Sequence, residues 1–251
     1  MVEGTTDCRW DTIIPFEPLW IEYKRLCKGP VVLFAAQPFT SRLIMSNLSG
    51  YKTSWVWNKK QSGSFANAKY HPLKITEDIL VFGNTSGNYH PIMRTGRNRR
   101  KGTGVKTSNQ IIIGLRPSTE YISDQYFPTN ILDDFPSARI NRLHPTEKPV
   151  ALLEYLIKTY SNPGATILDN CFGSCSTGIA CLNTDRNFIG IELDANYYRT
   201  GLARMLEHRN AQRNSLLPTP IPQCPANPLN HVPLQDVANL PNSSIAQPTL
   251  I

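Results

Sequence analysis

The sequence predicts an α/β protein that contains a parallel pair of strands joined through a helix. Residues 166–168 have the composition of a strand, and a turn of small residues, a helical stretch and a second strand at 188–191 follow. Residues 31–36 form an apolar run without polar alternation, which is typical of a strand buried on both faces of a parallel sheet. A chain of 251 residues is long enough to give one large domain of this class its own core.

Two helices and two more strands are predicted before residue 84. The helices lie at 20–28 and from 37 onward, and the strands lie at 51–57 and 77–82. We expect Trp55 to belong to the interior, because aromatic residues on strands are usually part of the core.

The turn between the last two strands, DNCFGSCSTG at residues 169–178, has the parts of a nucleoside-binding βαβ unit. Gly173 and Ser174 let the backbone pass close to a ligand. Ser176 and Thr177 begin a helix whose first N–H groups face that ligand. Glu192 ends the second strand, at the right distance downstream to accept hydrogen bonds from ribose hydroxyls.

The spacing of this turn excludes two common nucleotide sites. There is no GxGxxG, which argues against an ordinary dehydrogenase, and no Lys-Ser/Thr pair follows Gly178, which excludes a P-loop. A turn with few glycines and no basic residue suits a ligand without a pyrophosphate. A plain βαβ crossover, with small residues only for close packing, is the alternative at this point.

A second motif, HPTEKP at residues 144–149, leads into an amphipathic helix at 150–160. Thr146 is a suitable N-cap for this helix. Pro149 fits its first turn, because backbone N–H groups there have no partner within the helix. One apolar stripe at helical spacing is formed by Leu152, Leu153, Leu156, Ile157 and Tyr160.

HPTEKP, the helix, the strand and the turn DNCFGSCST together resemble the S-adenosylmethionine-dependent DNA amino-methyltransferases. More narrowly, they resemble the circularly permuted, beta-type branch of bacteria and their phages, in which the cofactor half comes last. The similarity covers roughly residues 5–209. It implies a Rossmann-like methyltransferase sheet, mostly parallel, with helices on both faces, S-adenosylmethionine as cofactor and double-stranded DNA as partner.

The resemblance also implies how the methyltransferase domain, residues 1–209, is divided. A target-side half of the sheet at 5–83 is followed by a basic target-recognition insertion at 84–142 and a cofactor-binding half at 143–209. Residues 210–251 are rich in proline, asparagine and serine and are predicted to be a disordered tail.

The cofactor pocket is expected to combine the turn, the acid after the second strand and the HPTEKP loop. The family usually has glycine where Cys175 stands, and a side chain there crowds the cofactor or demands a strained φ, so we expect weakened rather than abolished binding. The expected pocket residues are Asp169, Gly173, Ser174, Cys175, Ser176, Thr177 and Glu192, with His144, Thr146 and Lys148 at the methionine end.

Basic residues are concentrated in one part of this chain of net charge +7. Residues 84–117 contain no acid, and their glycines predict an irregular, mobile stretch. Such a segment suits contact with DNA phosphates, and a solvated charged loop is the alternative. The residues expected to bind DNA are Arg94, Arg97, Arg99, Arg100, Lys101 and Lys106.

One family motif is absent from the sequence. In this family a loop of Asp or Asn followed by Pro-Pro-Tyr, or a variant, accepts the amine hydrogens of the target base and stacks on the flipped ring. In the permuted branch it directly precedes a segment resembling residues 4–11, and here only Met1-Val2-Glu3 stand before Gly4. No catalytic residue is therefore assigned, and we expect a fragment or an internally begun product whose central strand is lost.

Two classes of function remain open. The first is an amino-methyltransferase, expected to act on adenine N6 by direct transfer, with N4-cytosine as the other possibility. The second is a truncated, non-catalytic remnant that binds DNA or cofactor. Cytosine C5 chemistry is disfavoured because no Pro-Cys nucleophile precedes a strand.

The remaining features are less specific. The six cysteines form no CxxC pair, so we expect reduced thiols and no metal site. There is no signal peptide and no apolar run of membrane-spanning length, so we expect a cytoplasmic protein of a bacterial or phage-infected cell. A homodimer is left open.

Overall fold

The computed structural model describes residues 14–62, 65–101, 121–137 and 143–216. The helices are α1 (Phe16–Leu26), α2 (Phe39–Ser46), α3 (Val150–Tyr160), α4 (Ser176–Asn183) and α5 (Ala195–Leu216). The strands are β1 (Val31–Ala35), β2 (Tyr51–Asn58), β3 (Thr76–Phe82), β4 (Arg94–Lys101), β5 (Tyr121–Tyr126), β6 (Ile131–Leu132), β7 (Thr166–Asp169) and β8 (Asn187–Gly190).

The chain divides into two compact units, Met1–Gln212 and Arg213–Ile251. The predicted tail begins at residue 210, whereas α5 continues past that point to Leu216. Residues 217–251, on which the rest of that prediction falls, lie outside the described ranges. None of the helices described is both long and apolar enough to cross a membrane.

The described strands form a mixed arrangement rather than the mostly parallel sheet that was predicted. A four-stranded sheet has the order β1-β3-β2-β6, in which β3 runs antiparallel to both neighbours and β6 runs parallel to β2. β7 and β8 form a separate parallel pair. The described part of the connection from β2 to β3 contains one 3₁₀ turn, Phe65–Asn67, and no α-helix, and strands joined without a crossover helix pair antiparallel.

The apolar run of β1 is explained by helices on both faces of the four-stranded sheet. On β3, Ile79 and Val81 face the α3 side, whereas Leu80 and Phe82 face α1 and α2, and all four are at most 1% exposed. Trp55 lies in the core on the α3 side, as predicted. An unbroken apolar run therefore indicates that both faces of the strand are buried, but it does not show whether the strand is parallel or antiparallel to its neighbours.

Helix α3 packs against both groups of strands. Its Leu152 and Leu156 join the core of the four-stranded sheet. Its Leu153 and Ile157 pack with α4 and with side chains of β7 and β8. Among the described strands no hydrogen-bonded pair connects the two groups, so in this part of the chain the groups meet through side chains.

The predicted loss of the catalytic loop and of a central strand concerns the chain before Gly4. Gly4 and its neighbours, residues 1–13, lie outside the described ranges. The absence of an Asp/Asn-Pro-Pro-aromatic loop before Gly4 is therefore a fact of the sequence alone, and the loss of the strand stays a prediction.

Candidate functional site

The carboxylate of Asp169, at the end of β7, organises the turn that follows. Its Oδ1 accepts a hydrogen bond from the N–H of Cys171 at 3.1 Å, and its Oδ2 accepts one from the Thr177 hydroxyl at 2.6 Å. Burial raises the pKa of Asp169 above its ordinary value, and these two hydrogen bonds oppose that shift. The strand end is therefore tied directly to the first turn of α4.

Gly173 connects this turn to the acid after β8. Its N–H donates to Glu192 Oε2 at 2.9 Å, while Glu192 Oε1 accepts the N–H of Asp194 at 2.9 Å. Gly173 has a φ of +51°, and a Cβ added there would lie 3.2 Å from the His144 ring. Any other residue at this position would be both strained and crowded.

Cys175 adopts a left-handed backbone conformation, with a φ of 60° and a ψ of 30°, at the N-cap of α4. The expectation of a strained φ at this position is thereby confirmed, and such strain costs a non-glycine residue roughly 1–2 kcal/mol. The side chain is 2% exposed, and its Sγ lies 3.7 Å from Met205 Sδ of α5.

The His144 imidazole lies over the turn. Its Nδ1 accepts the N–H of Thr146 at 3.3 Å and lies 3.0 Å from the Thr146 hydroxyl. The ring meets the Tyr197 ring edge-on, with 4.3 Å between centroids. Burial lowers the pKa of His144 below its ordinary value, although Glu192 and Glu147 act to raise it.

The prediction that Thr146 caps α3 is wrong. Pro149 is the N-cap of this helix and no side-chain hydrogen bond is made there. The Thr146 side chain is instead occupied with His144 inside the loop, a short-range pairing that competes with helix capping.

Glu147 and Lys148 point toward different parts of the fold. Glu147 Oε1 forms an ion pair with Arg204 at 3.0 Å. Lys148 Nζ lies 3.2 Å from Glu77 Oε1 and 5.0 Å from the centroid of the Phe34 ring, so it faces the four-stranded sheet. Lys148 Nζ also donates to the Thr146 carbonyl at 3.4 Å, so it joins the HPTEKP loop to the four-stranded sheet.

Arg204 of α5 was missed by the sequence reasoning. Its guanidinium donates to the Ser174 carbonyl at 3.0 Å and to the Ser176 hydroxyl at 3.1 Å, besides pairing with Glu147. Helix α5 comes close to the turn at Gly201, where a Cβ would lie 2.8 Å from the Gly173 carbonyl oxygen. The available signal was the spacing of Tyr197, Gly201 and Arg204, which falls on one helical face.

Tyr23 of α1 was also missed. Its hydroxyl donates to Asn170 Oδ1 at 3.2 Å, which brings α1 to the same turn. Burial, together with the nearby Cys171, raises the pKa of Tyr23 to about 12, so it stays a neutral donor. Among the described residues no group of three or more His, Cys, Asp or Glu side chains is placed to hold a metal ion.

Residues 94–101 of the basic segment form β4, which pairs antiparallel with β5 in a two-stranded ribbon. The prediction of an irregular stretch is therefore wrong for residues 94–101. Arg94 and Arg97 are exposed, and the Tyr126 hydroxyl donates to the Arg97 carbonyl at 2.7 Å. Gly96 is needed beneath that tyrosine, because a Cβ would lie 2.9 Å from its ring. The side chains of Arg99, Arg100 and Lys101, and all of Lys106, lie outside what the structure describes.

Comparison with known proteins identifies the family. The model of the N6/N4 DNA methylase family matches residues 17–203. The chain belongs to this family. The match confirms the resemblance drawn from HPTEKP and the turn, and S-adenosylmethionine is the cofactor that this family uses.

Individual relatives agree with the family assignment. The DNA adenine methyltransferase YhdJ of Escherichia coli K12 is 35% identical over 161 residues, which are 61% of this chain and 52% of that protein. The chain spans about half the length of the first curated relatives it matches.

Two solved structures show the fold of these methylases. The M1.HpyAVI–SAM complex has a TM-score of 0.50 and 25% identity, covering 76% of this chain and 85% of that one. The cytosine-N4-specific PvuII DNA methyltransferase has a TM-score of 0.50 and 13% identity, covering 85% of this chain and 84% of that one. At that identity the PvuII enzyme supports the shared α/β methyltransferase fold alone.

Proposed function

We propose that this chain binds S-adenosylmethionine at the turn after β7 and serves methylation of an exocyclic amine in DNA, with adenine N6 as the target atom. The observation that carries the proposal is the fixed carboxylate of Glu192, which the N–H groups of Gly173 and Asp194 hold in place. Each carboxylate oxygen can accept more than one hydrogen bond, so both suit ribose hydroxyls.

The surroundings of Glu192 fit the rest of such a ligand. Ile191 is 56% exposed and Leu193 is 95% exposed, which offers apolar surface beside the carboxylate for a purine ring. Asp169 and Glu192 together favour a ligand with hydroxyl, amine and cationic groups and disfavour a phosphate. When bound, S-adenosylmethionine supplies the activated methyl group.

The other proposed pocket residues contribute in different ways. Ser174, Cys175 and Ser176 are at most 5% exposed, and the Cys175 N–H donates to the Phe172 carbonyl, so the part of these residues is the shape of the turn. Lys148 pairs with Glu77 and donates to the Thr146 carbonyl, so we place it at the edge of the pocket. The proposed set is Asp169, Gly173, Ser174, Cys175, Ser176, Thr177 and Glu192, with His144 and Thr146.

The β4–β5 ribbon supports DNA as the substrate. The major groove of B-DNA admits a two-stranded ribbon, and arginines on such a ribbon can contact both phosphates and guanine edges. Exposed Arg94 and Arg97 lie on β4, where residues 84–117 carry no acid, and β5 contributes a single acid, Asp124. Adenine as the target base rests on the name of the YhdJ relative.

A non-catalytic binding role is the second candidate. It is favoured by one observation, namely that the 251 residues contain no Asp/Asn-Pro-Pro-aromatic sequence. Without that loop no side chain in the sequence is assigned to accept the hydrogens of the target amine.

A binding assay and a transfer assay distinguish the two candidates. Calorimetry with S-adenosylmethionine tests the pocket, and methyl-labelled cofactor incubated with unmethylated bacterial or phage DNA tests transfer. Label recovered as N6-methyladenine supports the first candidate, and label recovered as N4-methylcytosine corrects the base. Binding of cofactor and DNA without transfer favours the second candidate. If neither the parent chain nor the Cys175→Gly variant binds S-adenosylmethionine, the proposed pocket is contradicted.

A further inference from the structure

Arg204 joins two segments that are distant in sequence. Its guanidinium donates to the Ser174 carbonyl and the Ser176 hydroxyl in the turn, at 3.0 and 3.1 Å, and pairs with Glu147 of the HPTEKP loop at 3.0 Å. The Arg204 and Glu147 side chains are only 24% and 15% exposed. A planar guanidinium can serve several acceptors at once from a fixed position, which a lysine ammonium does less well.

Glu147, which pairs with Arg204, also forms hydrogen bonds within its own loop. Its second carboxylate oxygen accepts the N–H of Leu143 at 3.0 Å, and its own N–H donates to the His144 carbonyl at 3.1 Å. These bonds close the loop around His144, whose ring lies against Gly173 and Tyr197. The position of the imidazole over the turn therefore depends on where Glu147 is held.

We propose that Arg204 is a positioning residue of the cofactor site, which acts through Glu147 to hold His144 against Gly173 before the ligand arrives. The identity of the ligand rests on the proposed function. A site whose walls are already in place loses less conformational entropy on binding. Removal of the guanidinium should therefore weaken ligand affinity in protein that remains folded.

The competing explanation is that Arg204 only attaches α5 to the rest of the fold. Arg186 offers a matched control, because it is also partly buried and also donates to backbone carbonyls, those of Ser161 and Thr184. It lies in the same half of the fold but makes no contact with the HPTEKP loop among the hydrogen bonds described.

The test compares Arg204→Met and Arg204→Lys with Arg186→Met by hydrogen–deuterium exchange, melting temperature and calorimetry with S-adenosylmethionine. For Arg204→Met we expect faster exchange in peptides covering 143–148 and 172–176 and unchanged exchange in β2 and β3. We also expect about ten-fold weaker binding of S-adenosylmethionine, because that is the effect of removing one charged hydrogen bond. Arg204→Lys should keep part of the affinity. Arg186→Met should lower the melting temperature and leave the affinity unchanged.

A double variant checks the route through Glu147. If Arg204 acts through that carboxylate, Glu147→Gln and Arg204→Met together should cost little more affinity than Arg204→Met alone. Unchanged affinity in folded Arg204→Met, or an even rise of exchange that includes β2 and β3, would overturn the proposal. If the parent chain binds no S-adenosylmethionine, the proposed function fails, while the exchange data still decide whether Arg204 holds the His144 loop.

Discussion

Glu147 and Lys148 are neighbours in sequence, yet their side chains form ion pairs in different halves of the fold. Glu147 pairs with Arg204 of α5 at 3.0 Å, and Lys148 pairs with Glu77 at the start of β3 at 3.2 Å. Because the two groups of described strands share no backbone pairing, these adjacent charges make the HPTEKP loop a polar link between them.

The first prediction concerns Glu192. Replacing it by alanine should weaken S-adenosylmethionine binding by about 2 kcal/mol, because hydrogen bonds to a charged group are removed. Calorimetry measures the change. Glu154→Ala, which removes a carboxylate on α3 that bonds to Asn183, is the control and should bind as the parent does. Equal affinity in the two variants would remove Glu192 from the pocket.

The second prediction concerns the strained backbone at Cys175. Glycine and alanine both remove the sulfur that contacts Met205, but only glycine adopts a φ of 60° without penalty. Cys175→Gly should therefore unfold with a free energy about 1 kcal/mol higher than that of Cys175→Ala. Urea denaturation measures this difference, and an alanine variant as stable as the glycine variant would argue against strain.

The third prediction concerns acid stability. Burial lowers the pKa of His144 below 6.5, so folding favours the neutral imidazole and the unfolded chain takes up its proton at higher pH. The resulting stability is present above the unfolded pKa and is lost as the pH falls through the folded pKa.

Urea titrations at about pH 7.5 and about pH 5.5 test this sign. The parent should lose more unfolding free energy between the two conditions than His144→Gln does. Equal losses in the parent and the variant would mean that His144 contributes nothing to the pH dependence.

The fourth prediction concerns the ribbon. Removing one arginine that binds a phosphate should lower the slope of log binding constant against log salt by about 0.9, so Arg94→Ala with Arg97→Ala should lower it by about two. Arg199→Ala with Arg209→Ala changes the charge equally at exposed positions on α5 and is the control. If both pairs change the slope alike, net charge rather than the ribbon governs DNA binding.

Local pattern predicted the elements around the turn well, because each depends on residues near in sequence. β7, α4 and β8 form where the composition of residues 166–191 places them. Strand direction in the larger sheet was not predictable in this way, since β3 inserts between β1 and β2 through pairing that no local pattern records. Arg204 was missed for a similar reason: a single arginine on a long polar helix looks solvent-exposed until the helix is placed.

Helix α3 sets a condition on any recombination between members of this family. Consecutive residues Leu152 and Leu153 face different cores, one shared with the four-stranded sheet and one with β7 and β8. A chimera that takes residues 143 onward from a relative inherits an α3 whose side chains fit that relative's four-stranded sheet as well as its own β7 and β8. Such an exchange should give a stable protein only when the side chains of α3 fit both the four-stranded sheet and the β7–β8 pair. Redesign of a chimera should therefore begin at α3.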